Sequence, residues 1–197
     1  QADNLMRQLA SQKPGDPDQV YATGLYLSGN DRDRAALAHL NTLPRDKWNG
    51  NIQELADRLQ SNQVLETANR LRDSGKEQEA ETLLRQQPVS TRIDLTLADW
   101  ALQRGDRAAA KNAYSTVLQR EPQNEDALLG LTEVYIAEGD KDAARAELAK
   151  LPAEQNGQPL SVNMQRRKAM AQAGLGDTAA AQQTFSKLVP QAKTQPA

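Results

Sequence analysis

TRIDLTLADWALQRGDRAAAKNAYSTVLQREPQN, residues 91–124, states a complete structural unit in 34 residues. Ile93, Leu97 and Ala101 recur at i, i+4 and i+8, and Leu95, Ala98 and Leu102 form a second apolar row. A helix with two apolar rows must be buried on two sides. Gly105 supplies the left-handed geometry of a helix end, and Asp106 is placed to cap the helix that follows. That second helix carries Ala110, Tyr114, Val117 and Leu118 on one face before Pro122 stops it. A two-helix unit with this much apolar surface cannot cover itself. It needs a neighbour.

The neighbours are visible on both sides. Gly105 and Gly139 are 34 residues apart, and 34 is the period of the tetratricopeptide repeat (TPR), an antiparallel helix pair that stacks into a solenoid. The expected architecture is all-α: a right-handed superhelical solenoid of such pairs. Composition agrees, since aromatics are only 4% of 197 residues and Ala and Leu supply most of the apolar faces. Lys plus Arg total 24 against 26 Asp plus Glu, so no strong field exists to recruit nucleic acid or anionic lipid. No apolar run approaches the ~18 residues of a spanning helix, and the first residues lack a signal-peptide profile. With no cysteine, disulfides, zinc–thiolate sites and thiol catalysis are all removed.

In chain order, residues 1–14, with Leu5, Met6 and Leu9, read as the second helix of a truncated repeat, as if cut from a longer array. Residues 16–44 form a diverged repeat whose turn, SGND at 28–31, carries a one-residue shift. Residues 45–60 are an irregular linker and helix extension. Asn51 with Glu54 resembles a capping box, which predicts a helix from Ile52 with an extra turn and a half, or an inserted helix, before the standard unit. Repeats follow at 61–88, 91–124 and 125–152, then a loop at 153–161, a repeat at 162–190, and a tail at 191–197. Gln165, Lys168 and Gln172 weaken the first helix of the last repeat. The interruptions at 45–60 and 153–161 predict that the superhelix bends or hinges there.

NIQELADRLQSNQVLETANRLRDSGKEQEAETLLRQQP (51–88), TRIDLTLADWALQRGD (91–106) and GDTAAAQQTFSKLVPQAK (176–193) resemble the outer-membrane cellulose exporters of bacterial cellulose synthase systems, and the resemblance runs the whole chain. It implies a long periplasmic TPR array followed by an outer-membrane β-barrel through which glucan leaves the cell, with this chain an internal or late part of the array. The implied function is a periplasmic scaffold of cellulose (exopolysaccharide) export. Its partners would be proteins of the cellulose synthase complex, with glucan or peptidoglycan as a second class.

No catalytic set emerges, and none is expected. His39 is the only histidine and reads as an ordinary packing or surface residue. Asp31 has a turn role, while Asp33 and Asp46 read as solvated. The Gly-Asp pairs at Gly105, Gly139 and Gly176 are turn chemistry, because no GK[ST] follows. No metal or cofactor is expected.

Stacked repeats offer a concave surface lined by their first helices. The turn glycines place Arg92, Leu95, Asp99, Leu102, Asp126, Leu129, Glu133 and Ile136 there, with Leu65, Asn69 and Arg72 before them. Leu65, Leu95 and Leu129 stand where carboxylate-clamping TPRs carry Lys, which argues against that ligand. Two further readings are a groove that binds glucan directly and a generic envelope TPR adaptor. Sugar rings stack on exposed aromatic faces. Tyr114, Tyr135 and Phe185 fall at core positions, leaving mainly Trp48, Trp100, Tyr21 and Tyr26. Trp100 reads more readily as inter-repeat core, and Trp48 as a helix staple or an exposed contact.

Overall fold

The computed structural model describes Asn4 and residues 15–155 and 157–192. The truncated-repeat reading of 1–14 lies outside these residues, apart from Asn4. The chain falls into two compact units, Gln1–Pro88 and Val89–Ala197.

In the first unit, α1 (Pro17–Ser28) and α2 (Asp33–Leu40) make a hairpin, a short 3-10 turn follows at Arg45–Lys47, and α3 (Gly50–Asp73) pairs with α4 (Glu77–Arg85). The turn between α1 and α2 is unusual. Gly75, Gly105, Gly139 and Gly176 all hold φ between 80 and 85°, and in the first hairpin Asp31 takes that left-handed position with φ 56°. The turn glycine of the SGND stretch, Gly29, is right-handed at φ −65°. Asp tolerates the left-handed region better than most side chains because its short polar group bonds locally.

Helix α3 is one continuous helix of 24 residues, and it begins earlier than the Asn51–Glu54 pair predicts. Asn49, extended at φ −95° and ψ 173°, caps it by accepting from the Ile52 amide at 3.0 Å. Asn51 therefore lies inside the first turn. The residues before position 61 are not a separate insertion: Ile52, Leu55, Ala56 and Leu59 are the floor on which α1 and α2 close. Gly24 permits that closure, because a Cβ there would sit 2.8 Å from Leu40 Cδ2 and 3.2 Å from Leu55 Cδ2. The second half of α3 buries Leu65 and Ala68. Asp33 is not simply solvated: it accepts from Ser28 Oγ at 3.0 Å and Asn62 Nδ2 at 2.8 Å, tying α2 to α3.

The second unit contains three hairpins: α5 (Thr91–Gln103) with α6 (Arg107–Arg120), α7 (Glu125–Glu138) with α8 (Lys141–Ala149), and α9 (Val162–Gly174) with α10 (Thr178–Ala192). Asp106, Asn124 and Asp140 cap α6, α7 and α8, each through the amide three residues on. Ala98, Ala101, Ala110, Tyr114, Val117, Ala127, Leu131 and Val134 form the core of the first two hairpins. Its tightest point is Gly130, where a Cβ would lie 2.3 Å from the Tyr114 ring. The ring rests on bare helix backbone, so α6 and α7 approach more closely than any side chain at 130 would allow.

Three further expectations differ from the structure. Residues 153–161 hold a minimal antiparallel ladder, β1 (Glu154–Gln155) with β2 (Gln158–Pro159), rather than only a loop. Helix α10 runs to Ala192, past the expected end of the repeat at 190. Phe185 is 41% exposed rather than core, because among the described elements α10 packs chiefly on α9 and its other faces lack a covering helix.

Candidate binding groove of the second unit

The first helices of the three hairpins, α5, α7 and α9, lie side by side, with α7 touching both of the others. A polar cluster forms where they meet. Arg167 of α9 reaches across to α7: its Nε donates to Glu133 Oε1 at 3.0 Å and an Nη to Asp126 Oδ1 at 3.0 Å. Asp126 and Glu133 are seven residues apart, two helical turns, so one planar guanidinium spans them. On α5, Asp99 accepts a short hydrogen bond from the Tyr114 hydroxyl.

The electrostatics follow from crowding. Burial raises the Asp99 pKa above the ordinary carboxylate value, an effect opposed by the Tyr114 hydrogen bond and by Arg167 and reinforced by Asp126 and Glu133. Asp99 keeps part of its surface open to water, so this perturbation is moderated by solvent. Tyr114 is pushed far above its usual value, first by burial and then by Asp99, which fixes its hydroxyl as a donor. Burial alone would lower the Arg167 pKa, but Glu133, Asp126 and Asp99 outweigh it and the net shift is upward. Two carboxylates thus bond one guanidinium, and a third, Asp99, lies within its field. Among the described residues no group of three or more His, Cys, Asp or Glu could hold a metal ion.

Of the residues predicted to line the groove, Asp99, Asp126 and Glu133 come together around Arg167, beside half-buried Leu95, Leu102 and Ile136. Arg92 is exposed on α5. Leu129 is fully buried, packed with Leu128, Leu151 and Leu160, and so supports the surface from beneath. In the first unit Leu65 is likewise buried, Asn69 is exposed, and Arg72 lies 4.0 Å from Glu77. Trp100 is only 3% exposed, so its ring offers no stacking face. Trp48 is half-buried: it packs against the first-unit core, donates to the Leu43 carbonyl at 2.9 Å, and is covered by the Arg45 guanidinium at 3.9 Å from the ring centroid.

Sequence reasoning missed Arg167 and the hydroxyl of Tyr114. Tyr114 reads as core from helical spacing, and its ring is core; only its tip is polar. Arg167 lies in the repeat whose turn glycine is displaced, 37 residues after Gly139 rather than 34. That offset is the one signal that its register against α7 differs.

The fold is that of a tetratricopeptide-repeat protein. Residues 101–167 match the tetratricopeptide repeat family model, and a tetratricopeptide repeat protein from Parabacteroides merdae has the same fold, with a TM-score of 0.52 at 19% identity over 90% of this chain and 67% of that one. Over its full length the chain is homologous to cellulose synthase operon protein C. It is 72% identical over 196 residues to that protein of Escherichia coli K12, covering 100% of this chain and 17% of the relative. The Salmonella typhimurium LT2 protein of the same name is 71% identical over 196 residues, covering 100% of this chain and 16% of the relative. The chain thus spans about one sixth of the length of these relatives. No helix among the described residues is long and apolar enough to cross a membrane.

Proposed function

We propose that this chain is a periplasmic scaffold segment of a cellulose export protein, carrying protein contacts between the synthase complex and an outer-membrane channel. The observation that supports this is identity above 70% along the whole chain to cellulose synthase operon protein C, joined to a fold whose general use is protein interaction. On this reading the working surface is the α5–α7–α9 face, where apolar Leu95, Leu102 and Ile136 alternate with Asp99, Asp126, Glu133 and Arg167. Such a mixture suits a peptide or helix from a partner protein. It acts by holding, without chemistry of its own.

A direct grip on glucan is the less supported reading. Both tryptophans that would serve it are committed elsewhere, Trp100 to burial and Trp48 to Arg45 and the first core. The deciding experiment is in-frame deletion of this segment from the full-length gene with barrel insertion verified. Loss of cellulose export supports the scaffold, and normal export overturns it. Titration of the isolated chain with cello-oligosaccharides, watched by tryptophan fluorescence, separates the second reading: no response at millimolar sugar leaves proteins as partners.

A further inference from the structure

The second unit changes its means of adhesion at α9. Between the first two hairpins the contact is apolar and close, with Tyr114 seated on Gly130 and Ala98, Ala101, Ala127, Leu131 and Val134 around it. Among the described residues of α9 the buried side chains are the small Ala169 and Ala171, with Leu175 at the C-cap; apolar contact toward α7 and α8 includes a cluster in which Leu160 and Met164 meet Leu128, Leu129 and Leu151, and Ile136 lying over Gly174. Gln172, where an apolar residue is expected, is spent on a hydrogen bond from Thr184 at 2.9 Å, which holds α10 rather than α7.

Two arginines supply what the apolar surface does not. Arg167 forks onto Asp126 and Glu133 of α7. Arg145 of α8 donates to the Leu175 carbonyl at 2.8 Å, at the C-terminal end of α9 where the helix dipole is negative, and lies 3.6 Å from Asp177 at the following turn. The first contact sits at the middle of α9 and the second at its C-terminal end. The connection into the hairpin, through the β1–β2 ladder, is longer than at the preceding boundary, so it restrains position less.

We propose that the α9–α10 hairpin is an electrostatic latch, held on α7 and α8 by Arg167 and Arg145, and that it opens as a unit when those charges are screened or removed. Screening can reach the latch because the partners are partly in water: the side chains of Asp126 and Glu133 are 49% and 35% exposed, and Arg145 and Asp177 45% and 44%. Raising salt from ~0.1 to ~1 M shortens the screening length from about 10 to about 3 Å, which weakens these pairs and leaves the Tyr114–Gly130 contact untouched. Removing Arg167 goes further, since Asp126 and Glu133 then lose the guanidinium they bond and Asp99 the charge in whose field it lies. Opening bares the α7 face beneath Arg167, so ionic strength sets how much of the groove is available. The latch requires only the fold and is independent of the cellulose reading.

Hydrogen exchange by mass spectrometry on the 197-residue chain at 0.05 and 1 M NaCl tests it. In high salt, amide protection across α9 and α10 is expected to fall about tenfold, with α5–α7 changing less than about twofold. R167Q should show the low protection already at 0.05 M and respond little to salt, and R167K, which keeps charge but loses the fork, should fall between. D126N/E133Q tests the same latch from α7, and its salt response should likewise shrink to the part carried by Arg145 and Asp177. A salt-insensitive hairpin in the wild type, an R167Q variant that responds like wild type, or opening of all three hairpins together would each overturn the latch.

Discussion

Helix α7 has two neighbours among the first helices, and it meets them by different physics. Toward α5 and α6 it offers Gly130, Leu131 and Val134 to an aromatic ring and small aliphatics. Toward α9 it offers Asp126 and Glu133 to a guanidinium. The first contact is dry and intolerant of volume change; the second is partly wet and tolerant of it. Within one 14-residue helix, then, one boundary is set by shape and the other by charge. A repeat fold does not require its repeats to adhere in the same way, only that each unit's excess surface be covered.

Substitutions on the two sides of α7 separate these boundaries. G130A places a methyl 2.3 Å from the Tyr114 ring and must part α6 from α7; a loss of about 3 kcal/mol is expected, visible as a drop of roughly 6–12 °C in thermal melting. R167Q comes next. It should cost about 1–2 kcal/mol, discounted for exposed partners, and should appear as an early phase confined to α9 and α10 in exchange rather than as a shift of the whole transition. G174A lies on the charged side, where a Cβ would stand an ordinary 3.6 Å from Ile136 Cγ2. It should stabilise by about 0.5–1 kcal/mol through helix propensity, and destabilisation there would mean that this boundary is as close-packed as the other.

The smallest effect concerns pH. The Asp99 carboxyl has a folded pKa raised by burial, so its charged form disfavours the folded state. That penalty is fully present above the folded value and disappears as pH falls to the unfolded carboxyl value of about 3.9. D99N removes it while keeping an oxygen that can accept from Tyr114. The variant should exceed wild type at pH 7 by about 0.5 kcal/mol or less, and chemical denaturation at pH 7 and pH 4 should show the advantage shrinking at the lower pH. An advantage that grew on acidification would reverse the assignment.

Much of this fold is legible along the chain. The 34-residue spacing of Gly105 and Gly139, the caps at Asp106 and Asp140, and the stop at Pro122 are local signals, each read within a few residues of the turn it marks. Two details needed the structure. The Asn51–Glu54 pair resembles a capping box, but the extended residue that caps α3 is Asn49. In the SGND turn the left-handed position falls to Asp31, while Gly29 is right-handed. The polar cluster was half legible. Asp99, Asp126 and Glu133 follow from the repeat register, whereas Arg167 lies 34 and 41 residues from its partners, beyond an irregular connection that shifts the count.

The helix-pair repeat, its turns and caps, and its kinship with cellulose synthase operon protein C are thus properties of the sequence, because backbone propensity and period are written in neighbouring residues. Only the packed structure makes Gly130 a seat for Tyr114, buries Trp100 and Leu129, and sets one arginine among three carboxylates. Those outcomes depend on which side chains meet across helices, and a helical period fixes the face a residue occupies without naming the residue it will find there.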